Sequence, residues 1–365
     1  MSSPQPEIRI DQLTGLRTIL APARAERPLD WDAPAPPAEG PPLAAAPGRE
    51  AEEAALDSCP FCEGNEGKTP PETWADRPGG GRPDSPGWRV RAVPNLYPAV
   101  AGNEGDAEAA ATAPAAPADP LRASSRAAEP DLFSSLPASG AHEVVIHCPP
   151  HRRTLAELDD GELAAAVAGW RARMRAHAGD AACVQLIVNE GEAGGASLEH
   201  SHAQLYALGF VPVAIARERE RFNAYNERTM GGDLLADIAS EEVRRRDRLV
   251  AIDDEAMLIC PWASRSPFEL RVIPRRAAPR FESDGEVGAG ALGTAVRALA
   301  ARFGGRTPAL NLWVRTAPRG AEIFHWHIDI APRLAIRAGF ELSTGVDINV
   351  FPPERAAAEL REALG

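Results

Sequence analysis

The sequence predicts an α+β protein made of two tandem repeats, each an antiparallel sheet with packed helices. Slid against itself at an offset of 125 residues, the chain sets Pro149 on Pro274, His200 on His325, His202 on His327 and Gln204 on Asp329. Around both sets of anchors the elements follow one order: a strand-like run, an amphipathic helix, a second strand-like run and a His-x-His pair. Isolated pairs of histidines arise by chance, but matched spacing across Pro, His and His in the same order of elements does not.

The first repeat opens with the apolar run HEVVIHCP at 142–149, and Leu163, Val167, Trp170 and Met174 then fall on one face of a helix. CVQLIVN at 183–189 supplies its second strand. The counterparts are FELRVIP at 268–274, the helical set Leu292, Val296, Leu299 and Phe303, and ALNLWVR at 309–315. A last helix opens near Pro352-Pro353-Glu354, where proline suits the first turn. Residues 33–56 and 100–140 are rich in Ala, Pro, Gly and acidic residues and read as loops or disordered insertions without chemistry. Two domains follow: residues 1–208 carry the first repeat and residues 209–365 the second.

Composition excludes several classes. With 365 residues the chain can bury a sizeable core, and 44% hydrophobic and 25% charged residues are ordinary for a globular protein. The N-terminal MSSPQPEIRIDQ lacks the basic and apolar regions of a signal peptide, and no apolar stretch reaches membrane-spanning length, so a cytoplasmic protein with no membrane partner is expected. A net charge of -13 argues against nucleic-acid binding but leaves room for small anionic substrates held by a few local arginines. Five cysteines, an odd number at long spacings, fit reduced thiols better than a disulfide framework.

The chemistry centres on Gly194-Gly195-Ala196-Ser197-Leu198-Glu199-His200-Ser201-His202-Ala203-Gln204. Continued as a strand, it projects His200, His202 and Gln204 from one face, which a structural strand would fill with Val, Ile or Phe. Cys59-Pro60-Phe61-Cys62 is a C-x-x-C, whose thiolates can share one tetrahedral Zn2+, but no second C-x-x-C follows. His151 and His200 complete a Cys2His2 set, and a redox role for the pair is the alternative. Cys148, Cys183 and Cys260 read as small buried hydrophobes, and His142, His147 and His177 as structural or exposed.

These motifs together resemble the galactose-1-phosphate uridylyltransferase family, a branch of the histidine-triad superfamily. The resemblance rests on DQLTG at 11–15, APARAERP at 21–28, CPFCEGNE at 59–66, VPNLYPAV at 93–100, HRRTLAEL at 151–158 and NEGEAGGASLEHSHAQ at 189–204. It implies that His202 is the nucleophile that forms a covalent nucleotidyl-histidine from a nucleotide sugar, releasing a hexose 1-phosphate. It also implies that Gln204 donates to the phosphoryl oxygens, that Arg24, Arg27 and Ser197 hold phosphate, and that Asn95 and Asn189 bind substrate. The partners implied are a nucleotide sugar and a hexose 1-phosphate, of the UDP-glucose and galactose 1-phosphate type, and a homodimer is allowed, as in relatives. The alternatives are an ADP-sugar or dinucleotide phosphorylase with the same intermediate, and a histidine-triad hydrolase or nucleotide-binding protein. Gln204 favours transfer, since such hydrolases place a third histidine there.

The chain departs from the family in places. Glu199 and Ser201 replace the prolines that usually flank the first active-site histidine, which predicts a looser backbone. Some relatives bind a second metal through a Glu and three His; Glu218, His325 and His327 match, but Arg315 puts a cation where the remaining ligand belongs, which argues against that site. In the second repeat Arg276 stands for His151 and Asp329 for Gln204. An aspartate there is expected to repel phosphate, making the second repeat non-catalytic, packed on the first and shaping the sugar pocket.

Overall fold

The computed structural model describes residues 5–26, 58–102 and 137–365. Residues 33–56 and the greater part of 100–140, read above as insertions, lie outside them.

The strands that position the site alternate apolar and polar residues, and this places one face of each on a core. Ten of them form one sheet: β3 (Trp74–Asp76), β4 (Val90–Pro94), β5 (Gly140–Ile146), β6 (Cys183–Glu190), β7 (His202–Leu208), β8 (Leu249–Ile252), β9 (Ala256–Ile259), β10 (Leu270–Pro274), β11 (Leu310–Arg315) and β12 (His327–Pro332). Their order is β3-β4-β5-β7-β6-β11-β12-β10-β9-β8, and every neighbouring pair is antiparallel. The halves of this order mirror each other: β5, β7 and β6 occupy the places that β10, β12 and β11 occupy on the other side. The two antiparallel repeats are thus joined edge to edge at β6 and β11, where Asn311 stands opposite Asn189. A small second sheet holds β1 (Glu7–Ile10), β2 (Arg17–Leu20) and β13 (Asp347–Asn349), with β13 parallel to β2.

Helix α1 (Asp160–Ala178) starts at a capping box, in which the Asp159 carboxylate accepts from the Glu162 N–H and the Glu162 carboxylate accepts from the Asp159 N–H. Its predicted apolar face is buried: Leu163, Val167, Trp170 and Met174 are each 2% exposed or less. Helices α2 (Val213–Arg228) and α3 (Leu234–Arg245) precede α4 (Ala289–Arg302), whose Leu292, Val296 and Leu299 are fully buried. The short α5 (Gly339–Thr344) and α6 (Pro353–Leu364), with proline in its first turn, follow. Helices α1, α4 and α6 share one core with the inward residues of the sheet, among them Leu186, Val188, Ala203 and Leu205. A separate cluster on the other face joins Phe222 and Leu235 of α2 and α3 to Met257, Ile259 and Ile273. The opposite faces of β6, β7 and β11 carry the polar residues of interest. Among the described residues no helix is long and apolar enough to cross a membrane.

Gly169 lets α1 lie close to the sheet, since a Cβ there would stand 2.6 Å from Val90 Cγ1. Glycine inside a helix usually costs roughly 0.5–1 kcal/mol relative to alanine, but overpacking costs about 1–3 kcal/mol. Gly169→Ala is therefore expected to lower stability by roughly 1–2 kcal/mol, the balance of these two effects. Urea unfolding checks this, and a Gly169→Ala protein as stable as its parent would refute the close contact.

Candidate functional site

The His-x-His-x-Gln stripe straddles the start of β7. His202, Gln204 and Tyr206 alternate along one face of the strand, while Ala203 and Leu205 enter the core. His200 precedes the strand, and its ring turns away toward the C-x-x-C, so the stripe expected of His200, His202 and Gln204 divides between two jobs.

His202 is 5% exposed, and its Nδ1 lies 2.7 Å from the His200 carbonyl oxygen. A carbonyl can only accept, so Nδ1 carries the proton and Nε2 keeps its lone pair. Burial lowers the affinity of this ring for a second proton, partly offset by the bond to the His200 carbonyl. The Phe61 ring packs edge-on to His202 with centroids 5.2 Å apart, which steadies the imidazole.

Gln204 is held with equal definition. The Ala99 N–H donates to His142 Nδ1 at 3.2 Å, so His142 Nε2 bears the proton and donates to Gln204 Oε1 at 3.1 Å. The Tyr206 hydroxyl donates to the same oxygen at 2.9 Å, and its ring stacks on His142 with centroids 4.0 Å apart. With Oε1 taken by two donors, the amide hydrogens of Gln204 are directed elsewhere. His142 and Tyr206 are the residues sequence reasoning missed here. Extending the period-two stripe by one step reaches Tyr206, whereas His142 sits on a different strand and only the β5–β7 register, His142 opposite Tyr206, brings it in.

Cys59, Cys62, His151 and His200 converge, with all four ligand atoms within 4.8 Å of one another. His200 Nδ1 is 3.6 Å from each sulfur, and His151 Nδ1 is 3.4 Å from Cys62 Sγ. His200 Nε2 donates to the Cys148 carbonyl at 2.9 Å, which turns the Nδ1 lone pair on the sulfurs. Burial lowers the His200 pKa to about 4, keeping the ring neutral. Burial, and then the neighbouring Cys59, push the Cys62 thiol up to about 12, so the thiolate form needs a cation beside it. This donor set can bind a metal. Among the described residues no other group of His, Cys, Asp or Glu converges in this way.

The remaining predicted residues separate. Asn95 lies beside Gln204's partner: its N–H donates to the His142 carbonyl at 2.8 Å and its Oδ1 accepts from the Tyr97 N–H at 2.8 Å. Asn189 is on β6 and its Oδ1 accepts from Asn311 Nδ2 at 2.8 Å. Ser197 is exposed on the loop between β6 and β7. Arg24 is exposed on the turn Pro22–Glu26 that follows β2, where the Ala21 N–H donates to the Asn349 carbonyl. Arg27 lies outside the described residues.

Ser201 corrects the expectation of a loosened backbone. Its N–H donates to the Arg152 carbonyl at 2.6 Å, its carbonyl accepts from the His147 N–H at 3.3 Å, and its hydroxyl accepts from His147 Nδ1 at 2.9 Å. A proline could offer neither the N–H nor the hydroxyl. His147 is structural, as expected: it is fully buried, and its Nε2 accepts from Trp170 Nε1 at 3.0 Å.

The second pair copies the backbone pattern of the first. His327 Nδ1 faces the His325 carbonyl at 3.2 Å, and His325 Nε2 the Pro274 carbonyl at 3.0 Å. Its surroundings differ. Asp329 is not the bare negative charge expected, because its carboxylate accepts from Arg271 Nε at 2.6 Å and from Trp313 Nε1 at 3.0 Å. Burial works against that charge, but the Arg271 guanidinium and then His327 hold the carboxyl well below its usual range. Glu218, His325 and His327 do not fit a second metal. Arg315 Nε stands 3.4 Å from Glu218 Oε1, and His325 Nδ1 faces Asp233 Oδ1 at 3.0 Å.

Residues 92–212 match the family model of the galactose-1-phosphate uridyl transferase N-terminal domain, and residues 172–364 match that of a domain of unknown function, DUF4921. The chain is 28% identical to an ADP-glucose phosphorylase of Arabidopsis thaliana over 98% of its own length and 93% of that protein. It is 27% identical to a galactose-1-phosphate uridylyltransferase of Cryptococcus neoformans over 69% of its length and 72% of that protein. Among solved structures, the ADP-glucose phosphorylase from Arabidopsis thaliana with bound ADP-glucose superposes with a TM-score of 0.75 at 25% identity, covering 98% of this chain and 99% of that one. With its mirrored strand order and its His-x-His-x-Gln strand, the chain belongs to the galactose-1-phosphate uridylyltransferase-like family of the histidine-triad superfamily and is an enzyme of that family.

Proposed function

We propose that this enzyme transfers a nucleoside monophosphate from a nucleotide sugar to a phosphate-bearing acceptor through a covalent intermediate on His202. The observation that carries this reading is the His202 ring, whose Nδ1–H is committed to the His200 carbonyl at 2.7 Å, so that Nε2 offers its lone pair. In the first step Nε2 attacks the α-phosphorus, the P–N bond forms, and the bond to the leaving sugar 1-phosphate breaks. In the second step an acceptor phosphate oxygen attacks the same phosphorus and frees the histidine. Gln204 supports the pentacoordinate phosphorus with the amide hydrogens that His142 and Tyr206 leave free, and it has no acidic proton with which to activate water. Asn189 and Ser197, on β6 and the loop after it, are read as contacts to the nucleotide and its phosphates, with Asn95, beside His142, as a further substrate contact and Arg24 and Arg27 as further phosphate contacts.

Two donors fit this chemistry. A UDP-glucose and galactose 1-phosphate pair suits the uridylyltransferase relatives. An ADP-sugar with a phosphate acceptor is favoured by the relative that aligns over 98% of the chain, the ADP-glucose phosphorylase. Incubation with UDP-glucose and with ADP-glucose, without acceptor, is expected to leave an acid-labile nucleotide on the protein, and intact mass identifies which one. His202→Asn should take up none; label on that variant would move the nucleophile elsewhere.

The metal is read as zinc with a structural role. Bonds of about 2.3 Å to sulfur and about 2.0–2.1 Å to nitrogen in a tetrahedron put S and N roughly 3.6 Å apart, and the separations here are 3.4–3.6 Å. The two converging imidazoles favour this over a redox role for the cysteines. Held there, zinc would fasten the segment bearing Phe61 to the turn that leads into His202. Cys62→Ser should therefore lose about one zinc per chain and lower the melting temperature, whereas His202→Asn should keep its zinc. Unchanged zinc in purified Cys62→Ser would place the ligands elsewhere.

A further inference from the structure

The loop between β6 and β7, Gly191 to Glu199, is seated on the second repeat. Gly191 and Gly194 allow this: a Cβ on Gly191 would stand 2.8 Å from the Ala309 Cβ, and one on Gly194 would stand 2.7 Å from the Leu310 carbonyl oxygen. Gly191 has a φ of 72° as well, in the left-handed region that favours glycine. The next residue of β11, Asn311, donates both hydrogens of its Nδ2, one to the Gly194 carbonyl at 2.6 Å and one to Asn189 Oδ1 at 2.8 Å.

The orientation of these carboxamides is forced. The Gly194 carbonyl can only accept, so Asn311 must turn its nitrogen toward the loop. The same nitrogen then meets Asn189, which must answer with its oxygen. Asn189 is left with its NH2 group pointing away from β11, on the sheet face that carries His202 and Gln204. A residue of the repeat expected to be non-catalytic thus sets which end of Asn189 a nucleotide meets.

We propose that Asn311 is a positioning residue for nucleotidyl transfer: it holds the loop bearing Ser197 against β11 and orients Asn189 as a donor toward the nucleotide. This rests on the function proposed above. An Asn311→Asp side chain has the same shape but can only accept. It would repel the Gly194 carbonyl, and Asn189 would turn its NH2 toward the new carboxylate and offer its oxygen to substrate. Asn311→Ala removes both donors but imposes no reversal.

Two measurements test this. Amide hydrogen exchange reads the loop without any substrate, and exchange over residues 191–197 is expected to rise in both variants. Single-turnover nucleotidylation of His202 by the donor that labels the parent is expected to slow by roughly 10- to 100-fold in Asn311→Asp, and by less in Asn311→Ala. A purely structural role gives the reverse order, because Ala leaves a void whereas Asp fills the same space, and it makes the loss follow melting temperature. Loop exchange unchanged in a folded Asn311→Asp protein, or a nucleotidylation rate in that variant equal to the parent's, would overturn the proposal. A parent that takes no label from any nucleotide sugar would instead sink the function proposed above, and the exchange measurement would still decide how the loop is held.

Discussion

The pairing of β6 with β11 is the constraint on which the rest of the molecule depends. Each repeat has an edge of unpaired N–H and C=O groups, and an open edge of that kind is a liability in a sheet. Joining the two edges satisfies both rows and sets a register in which Leu310 faces Glu190 and Val314 faces Leu186. Because side chains alternate with a period of two, that register also decides which face every residue of β6 and β11 occupies. Leu186, Val188, Leu312 and Val314 go into the shared core, and Asn189 and Asn311 are left together on the opposite face, beside the strand of His202. Core and site are two faces of one pairing.

A second constraint acts from the N-terminal side. Cys59 and Cys62 come from a loop before β3, His151 from the turn after β5, and His200 from the turn before β7, so the candidate metal site gathers three segments distant in sequence. Phe61, between the two cysteines, lies against both His200 and His202, with ring centroids 6.2 and 5.2 Å away. Local order in the C-x-x-C loop is thereby transmitted to the imidazole. Ser201 adds three hydrogen bonds at the same turn, which holds it without a proline at 199 or 201.

The two repeats keep one backbone plan and differ in charge. In both, the second histidine of the pair faces the carbonyl of the first. In the first repeat the strand continues with the neutral Gln204; in the second it continues with Asp329, locked to Arg271, while Arg315 stands against Glu218. Buried ion pairs of this kind hold a fixed geometry and leave little freedom for an incoming phosphate or metal. On the function proposed above, the duplication serves two uses, with chemistry on one side and support on the other, and the proposed role of Asn311 carries the support into the chemistry.

Much of this was legible in the sequence. The period-two and helical patterns located β5, β6, β10, β11 and the apolar faces of α1 and α4, because burial of one face leaves a periodic trace in the chain. The offset of 125 residues exposed the duplication for the same reason. The four residues of the candidate metal site could be chosen because few side chains bind metal, so those present stand out. The sequence could not show that Asp329 is neutralised, that Ser201 braces its turn, or that His142 and Asn311 hold Gln204 and Asn189. Each of these depends on which residue of one segment lies opposite which residue of another. Register is a relation between segments, set by cross-strand pairing and the packing of the common core, and it leaves no periodic mark within either segment. The types of residue that do the chemistry were therefore written along the chain, whereas the direction in which each one points was decided by its neighbours in the fold.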